Sequence, residues 1–98
     1  MEKSNSKKID SLKEKSFKLF EAGQYWRSVY ECLRGLVLSP ESQWVYFLLG
    51  VNYSKLNMPV QSLACLSFFV DSSKSRTSKE YNTALYIINQ LKQKLTNK

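Results

Sequence analysis

A chain of 98 residues, 43% of them apolar, is long enough for one folded domain with a limited core. Three glycines and two prolines are too few for a turn-rich β fold, and the longest apolar run, Trp44–Val51, is too short to cross a bilayer. The net charge is +7 and there is no histidine, which disfavours the usual zinc sites and histidine-assisted catalysis.

The spacing of apolar residues predicts five helices. The first spans about 5–22, and Gly23 is placed to end it in a left-handed conformation. The second spans about 25–38. The third spans about 41–56, with Ser39 or Ser42 as its cap and Pro40 suited to the first helical position.

The fourth helix is predicted over about 59–71, again with proline at its start. The polar stretch after it reads as a loop. Thr77 and Glu80 then have the spacing of a capping box, which opens a fifth helix. That helix has apolar residues at i, i+3, i+4 and i+7. These are Tyr81, Ala84, Leu85, Ile88, Leu91 and Leu95.

Residues at or near the predicted helix ends and starts recur at a fixed distance along the chain. Gly23 and Asn57, Tyr25 and Pro59, and Ser28 and Ser62 are each 34 residues apart. Within units 9–42 and 43–76, small residues at Ser16, Ser28, Gly50 and Ser62 would let helices approach closely, and bulky residues around them would fill the contact.

In this period and pattern the chain resembles the tetratricopeptide repeat, most closely over Leu49-Gly50-Val51-Asn52-Tyr53. Lys15, Pro59 and Phe69 depart from the pattern, because Leu, an aromatic residue and Ala are expected there. The resemblance implies an all-α fold in one domain, 1–98. Two antiparallel helical hairpins, 9–42 and 43–76, would stack in a right-handed superhelix, closed by a capping helix over 77–98.

The resemblance also implies a concave face lined by the first helix of each hairpin and by the fifth helix. Eight apolar residues take these positions, in addition to those that build the core. They are Phe17, Phe20, Trp44, Phe47, Val51, Tyr81, Leu85 and Ile88. A contiguous apolar face with aromatic anchors is typical of a site for an amphipathic helix. The alternative is that helix five folds back and fills the groove.

Trp26 and Tyr30, four residues apart on the second helix, should lie near its outer face. They either pack against the N-terminal segment or form a second interface for a partner or a dimer. Cys32 and Cys65 lie in apolar segments and read as buried, reduced thiols. No paired carboxylates in an evident cleft or phosphate-binding loop are found, so we expect no enzyme activity, cofactor or metal.

The basic charge is concentrated at the ends of the chain. Residues 1–20 hold six lysines and three acidic residues, and 74–98 hold six basic residues and one acidic residue. The aromatic residues concentrate in the near-neutral middle, so nucleic-acid binding is disfavoured. No apolar signal segment opens the chain, and we expect a cytoplasmic protein without a membrane span.

The prediction is therefore a protein-binding module. It is similar in architecture to the small tetratricopeptide chaperones of bacterial type III secretion, which keep needle or translocator subunits soluble. The resemblance implies such a subunit as partner, and a second small co-chaperone. A generic adaptor or assembly scaffold is the alternative, and a basic RNA-associated helical protein is a third.

Overall fold

Residues 2–97 form five helices, joined by short loops except before the last helix. The computed structural model describes residues 2–97, with side chains for residues 6–97. The helices are α1 (Glu2–Glu21), α2 (Tyr25–Leu38), α3 (Gln43–Lys55), α4 (Pro59–Ser72) and α5 (Lys79–Thr96). Residues 2–97 contain no strand, so the predicted all-α fold of five helices is confirmed. No helix in this range has the length and apolar character that crossing a bilayer requires.

The first helix of each hairpin ends in the same way. Gly23 after α1 has φ of +78°, and Asn57 after α3 has φ of +59°. The amide of the following residue donates to the carbonyl oxygen five residues earlier, at 2.9 Å, as Gln24 to Leu19 and Met58 to Tyr53. This is the Schellman ending of a helix. The left-handed conformation predicted for Gly23 is confirmed, and Asn57 repeats it because asparagine tolerates this conformation better than most residues.

Two predicted helix starts agree poorly with the structure. The first helix begins at Glu2 rather than near Asn5. The third begins at Gln43, after Ser42, so Pro40 is not at the first helical position. The carbonyl oxygen of Pro40 instead accepts a hydrogen bond of 2.8 Å from the hydroxyl of Tyr46, which holds the loop against α3. The prediction of proline at the start of α4 is confirmed.

The cap of α5 also differs from the prediction by one residue. The hydroxyl of Ser78, not that of Thr77, accepts a hydrogen bond of 3.1 Å from the amide of Tyr81. The prediction of a capping box at Thr77 and Glu80 is therefore wrong. Glu80 still lies in the first turn, where its negative charge is favourable at the helix N-terminus.

The helices stack as two hairpins and a closing helix. α1 packs on α2 and α3 packs on α4, while contacts between α2 and α3 and between α4 and α5 join successive units. α3 also contacts α1 and α5, whereas α1 and α5 do not approach each other within the described chain. One side of the stack is thus formed by α1, α3 and α5 and the other by α2 and α4. The right-handed sense of the stack stays a prediction.

Small residues join the two helices of each hairpin by a hydrogen bond to the backbone. In the first hairpin the hydroxyl of Ser28 donates to the carbonyl oxygen of Ser16 at 2.8 Å. In the second the hydroxyl of Ser62 donates to the carbonyl oxygen of Gly50 at 2.6 Å. All four residues are buried, so the close approach of each helix pair depends on their small volume.

The core consists of two apolar clusters. One is built by α2 and α3 from Val29, Cys32, Val45, Leu48 and Leu49. The other is built by α3, α4 and α5 from Val51, Leu66, Phe69, Ala84, Ile88 and Leu91. The half-buried ring of Phe20, from α1, packs against both clusters and connects them.

Candidate partner-binding groove

The eight residues predicted to line the concave face do not share one environment. Phe17, Phe20, Trp44 and Phe47 are half-buried. Val51, Tyr81 and Ile88 are buried, and Leu85 is 37% exposed. The predicted face is therefore partly core and partly open surface.

The buried part of the predicted face is closed by the chain itself. Val51 and Ile88 belong to the core cluster between α3, α4 and α5. The prediction that the eight residues are additional to the core is wrong for Val51, Tyr81 and Ile88, because α5 packs against α3 along this part. α5 lies in the stack as the unit after α4 and makes no close contact with α1 in the described chain, so this burial is ordinary stacking and does not show a groove filled by helix five.

The open part is a cavity of about 820 Å³ beside the N-terminal half of α3. Four aromatic side chains line it, from three helices: Phe17, Trp44, Phe47 and Phe69. The rings of Phe47 and Phe69 pack against each other, with centroids 5.3 Å apart. Three of the eight predicted groove residues thus meet in one cavity. Of the other five, Phe20, Val51, Tyr81, Leu85 and Ile88, none lines it.

The rim of this cavity is polar and carries both signs of charge. α1 contributes Lys13, and Glu41 lies in the loop before α3. The loop after α4 contributes Lys74, and the start of α5 contributes Glu80. Hydroxyl groups of Ser72, Ser73, Ser75 and Ser78 complete the rim. An apolar floor inside a polar rim is the usual anatomy of a protein interface.

Sequence reasoning missed the contribution of α4 and of the loop after it. Phe69 is one of the departures from the repeat pattern, where alanine is expected. A bulky residue at a position usually held by a small one adds volume that the surroundings must accommodate. Phe69 in place of alanine was therefore the signal in the sequence that α4 contributes to the groove, since its ring lines the cavity.

Trp44 is fixed in the groove by packing. A Cβ atom on Gly35 would lie 3.1 Å from Cη2 and Cζ2 of the indole, so the ring lies directly on the backbone of α2. The indole Nε1 is buried, and no described side chain or backbone atom accepts its proton. An unpaired buried donor costs about 1–3 kcal/mol. The ring is therefore held by its apolar contacts, at some expense in hydrogen bonding.

The predicted burial is confirmed for Cys32, whereas Cys65 is half-buried. Burial raises the pKa of the Cys32 thiol to about 12, and burial also raises the pKa of Cys65. Each is therefore a neutral thiol near pH 7, whereas the thiolate is the nucleophile and metal ligand. Neither residue lines the groove.

Trp26 and Tyr30 lie on the outer face of α2. They are 58% and 62% exposed, so they do not pack against the described part of the N-terminal segment. That these side chains form an interface for a partner or a dimer stays a prediction. Neither residue lines the groove.

Comparison with protein-family models, with curated proteins and with solved structures finds no match for this chain.

Proposed function

We propose that this chain is a non-catalytic protein-binding module whose groove takes the apolar face of an amphipathic helix from a partner. The observation that carries the proposal is the aromatic floor of Phe17, Trp44, Phe47 and Phe69 inside a rim of mixed charge. Side chains at i, i+3 or i+4, and i+7 of a bound helix would enter such a groove as anchors. Lys13 and Lys74, together with Glu41 and Glu80, would then contact its polar flanks.

The charged rim favours a protein ligand. A groove with lysines only would suit nucleic acid or another polyanion. Here two acidic residues stand among the cations, which suits a partner helix with both signs of charge. The floor is aromatic, as in the anchor pockets of protein interfaces.

The partner class comes from the family resemblance alone. On that basis the proposal is a cytoplasmic chaperone of tetratricopeptide type, which covers a hydrophobic helix of a type III secretion subunit before export. A generic adaptor that uses the same groove is the alternative. The two differ in the client, because a chaperone's client stays soluble only when this chain is present.

A test needs a variant that blocks the groove without disturbing the core. Alanine at Trp44 or Phe47 is unsuitable, since both side chains pack against core clusters. Ser75 lines the cavity from an exposed loop position, so Ser75→Trp should fill the opening. Thr77→Trp, two residues further along the same loop, is the matched control, because Thr77 is exposed and does not line the cavity.

The measurement is capture of clients from the native organism, followed by mass spectrometry and by co-expression with each client. We expect the unmodified chain and Thr77→Trp to retain a client in a defined ratio, and Ser75→Trp to lose it, with equal far-UV circular dichroism in all three. Equal capture by both tryptophan variants would refute binding in this groove. Capture that falls steeply with added salt and depends on RNA would support the RNA-associated alternative.

A further inference from the structure

The outer face of α2 carries an apolar stripe that no described part of the chain covers. Trp26, Tyr30, Leu33 and Val37 are spaced at i, i+4, i+7 and i+11, so they share one side of the helix. They are 58%, 62%, 43% and 82% exposed. We call these four residues the α2 stripe. The opposite side of α2, with Ser28, Cys32 and Gly35, is buried against α1 and α3.

The exposure is unusual for residues of this type. Trp and Tyr are the side chains most often found as anchors of interfaces. Contiguous apolar patches on a soluble surface mark interaction sites. Four aligned residues over three turns form such a patch. Leu38, next to Val37, is a further exposed apolar residue of α2, whereas Val60 and Phe68 lie on α4 and Leu85 and Tyr86 on α5.

One end of the α2 stripe opens into a strongly basic cleft. The cleft has a volume of about 660 Å³ and lies between the middle of α1 and the C-terminal end of α2. Leu12, Val37 and Leu38 form its apolar part, and Val37 also belongs to the stripe. Its charged lining consists of Lys7, Lys8, Lys15 and Arg34, without a carboxylate.

The carboxylate of Glu31 is paired with two of these cations. The side chain of Glu31 is 8% exposed and lies 3.2 Å from Nζ of Lys15 and 3.0 Å from Nη1 of Arg34. These two cations are partly neutralised, while Lys7 and Lys8 remain exposed. The cleft therefore offers a net positive field next to the apolar stripe.

The charge decides which occupant fits. A second copy of this chain would bring the same four cations toward a protein of net charge +7, and like charges in an interface are costly. An acidic helix would meet the cations favourably and cover the stripe with its own apolar residues. We propose that the α2 stripe and the basic cleft together bind an amphipathic helix with acidic flanks, supplied by another protein. This surface lies on α1 and α2, outside the groove proposed above.

The test uses a synthetic helical peptide with Leu at i, i+4, i+7 and i+11 and Glu at the flanking positions. A second peptide replaces each Glu with Lys. Isothermal titration on the unmodified chain gives the affinities. In a Trp44→Phe variant Trp26 is the remaining tryptophan, so its emission should shift to shorter wavelength when the stripe is covered.

We expect saturable binding of the Glu peptide and at least about tenfold weaker binding of the Lys peptide. Tyr30→Ala should lower the affinity of the chain for the Glu peptide by about tenfold. The matched control is Tyr86→Ala on α5, which is similarly exposed at 66% and should have no effect. The double variant Lys7→Glu, Lys8→Glu should weaken binding of the Glu peptide about as much as Tyr30→Ala does. Its control is Lys79→Glu, Lys92→Glu, an equal charge change at exposed sites on α5, which should weaken binding of the Glu peptide less.

Three kinds of outcome would overturn the proposal. One is a lack of specificity, seen either as equal affinity for the two peptides or as equal effects of Tyr30→Ala and Tyr86→Ala. Another is sedimentation showing a dimer that Tyr30→Ala dissociates, which would assign the stripe to a second copy. The third is that phosphatidylserine vesicles shift the emission of Trp26 whereas the Glu peptide does not, which would assign it to a membrane surface. Ser75→Trp, designed to block the groove, should leave binding of the Glu peptide unchanged. The binding proposal for the α2 stripe can therefore fail independently of the binding proposal for the groove.

Discussion

The hydroxyl of Ser62, on α4, donates a 2.6 Å hydrogen bond to the carbonyl oxygen of Gly50, on α3. The same bond joins Ser28 and Ser16 at 2.8 Å, 34 residues earlier. In both hairpins the donor follows the acceptor by twelve residues, and both bonds are buried. The register of each hairpin is thus fixed by one small polar side chain bound to the backbone of its partner helix.

Gly50→Ala should destabilise the protein by about 1–3 kcal/mol, through overpacking. A Cβ atom at this position would collide with Cγ and Cδ2 of Leu66, and it would lie 3.3 Å from the backbone nitrogen of Leu66. Alanine gains about 1 kcal/mol over glycine in helix propensity, but the collision in a buried site outweighs that gain. Urea unfolding gives the comparison, with Asn82→Ala on the exposed side of α5 as control. A stabilised Gly50→Ala would contradict the close approach of α3 and α4.

The helices and their close contacts could be predicted from the sequence because they depend on local signals. The fixed spacing of Ser16, Ser28, Gly50 and Ser62 indicates where helices meet, and Gly23 marks a helix end without reference to the rest of the chain. The cap of α5 could not be chosen in this way. Thr77 and Ser78 are adjacent hydroxyl residues, and only the path of the loop decides which one caps.

The groove was less predictable than the fold, because it depends on how helices lie against each other. Val51 and Ile88 have the sequence positions of groove residues, but the packing of α5 against α3 places them in the core. Phe69 belongs to α4, outside the helices expected to line the face, and it nevertheless lines the cavity. The angle and depth of helix packing decide such cases, and no local pattern encodes them.

Gly23→Ala should cost about 1–2 kcal/mol, the price of a left-handed conformation for a residue with a Cβ atom. The site isolates this effect, because an added Cβ would meet no atom within 4 Å. Gly23→Asn is the matched control and should cost much less, since asparagine holds the same conformation at Asn57. Thermal unfolding of the unmodified chain and the two variants gives the order of their stabilities. Equal losses for Ala and Asn would mean that the loop changes its conformation in both variants.

The cations around Glu31 should show strong non-additivity. Its side chain is 8% exposed, whereas Lys15 and Arg34 are 58% and 54% exposed. Lys15→Ala or Arg34→Ala alone leaves the carboxylate one partner, and each should cost at most about 1 kcal/mol. The double variant leaves a buried carboxylate with neither of these ion pairs, so its loss should exceed the sum of the single losses by about 0.5–3 kcal/mol.

Glu31→Gln in the double variant is the control for this argument. It removes the buried charge and should restore much of the lost stability, because the amide is cheaper to bury than an unpaired carboxylate. Urea midpoints of all four variants, measured at neutral pH, complete the cycle. Additive losses without recovery by Gln would show that water or a rearranged side chain replaces the two cations.

The stability of the protein should fall with rising alkaline pH through Cys32. Burial raises the pKa of this thiol from 9.0 to about 12 in the folded protein. Below pH 9.0 the Cys32 thiol keeps its proton in both the folded and the unfolded chain, so it adds no pH dependence to the stability. Between these values the unfolded chain has lost a proton that the folded chain keeps, so the free energy of unfolding decreases as pH rises, by at most about 1.4 kcal/mol per pH unit.

Lysines and tyrosines also titrate in this range, so the measurement is the difference between the unmodified chain and Cys32→Ala. That difference should shrink between about pH 8 and about pH 10.5, because the variant lacks the thiol that ionises on unfolding. A difference that stays constant would mean that the folded thiol ionises near its ordinary pKa. Labelling with a thiol reagent provides an independent reading: at neutral pH Cys32, which is buried, should react only after unfolding, and the half-buried Cys65 should react first.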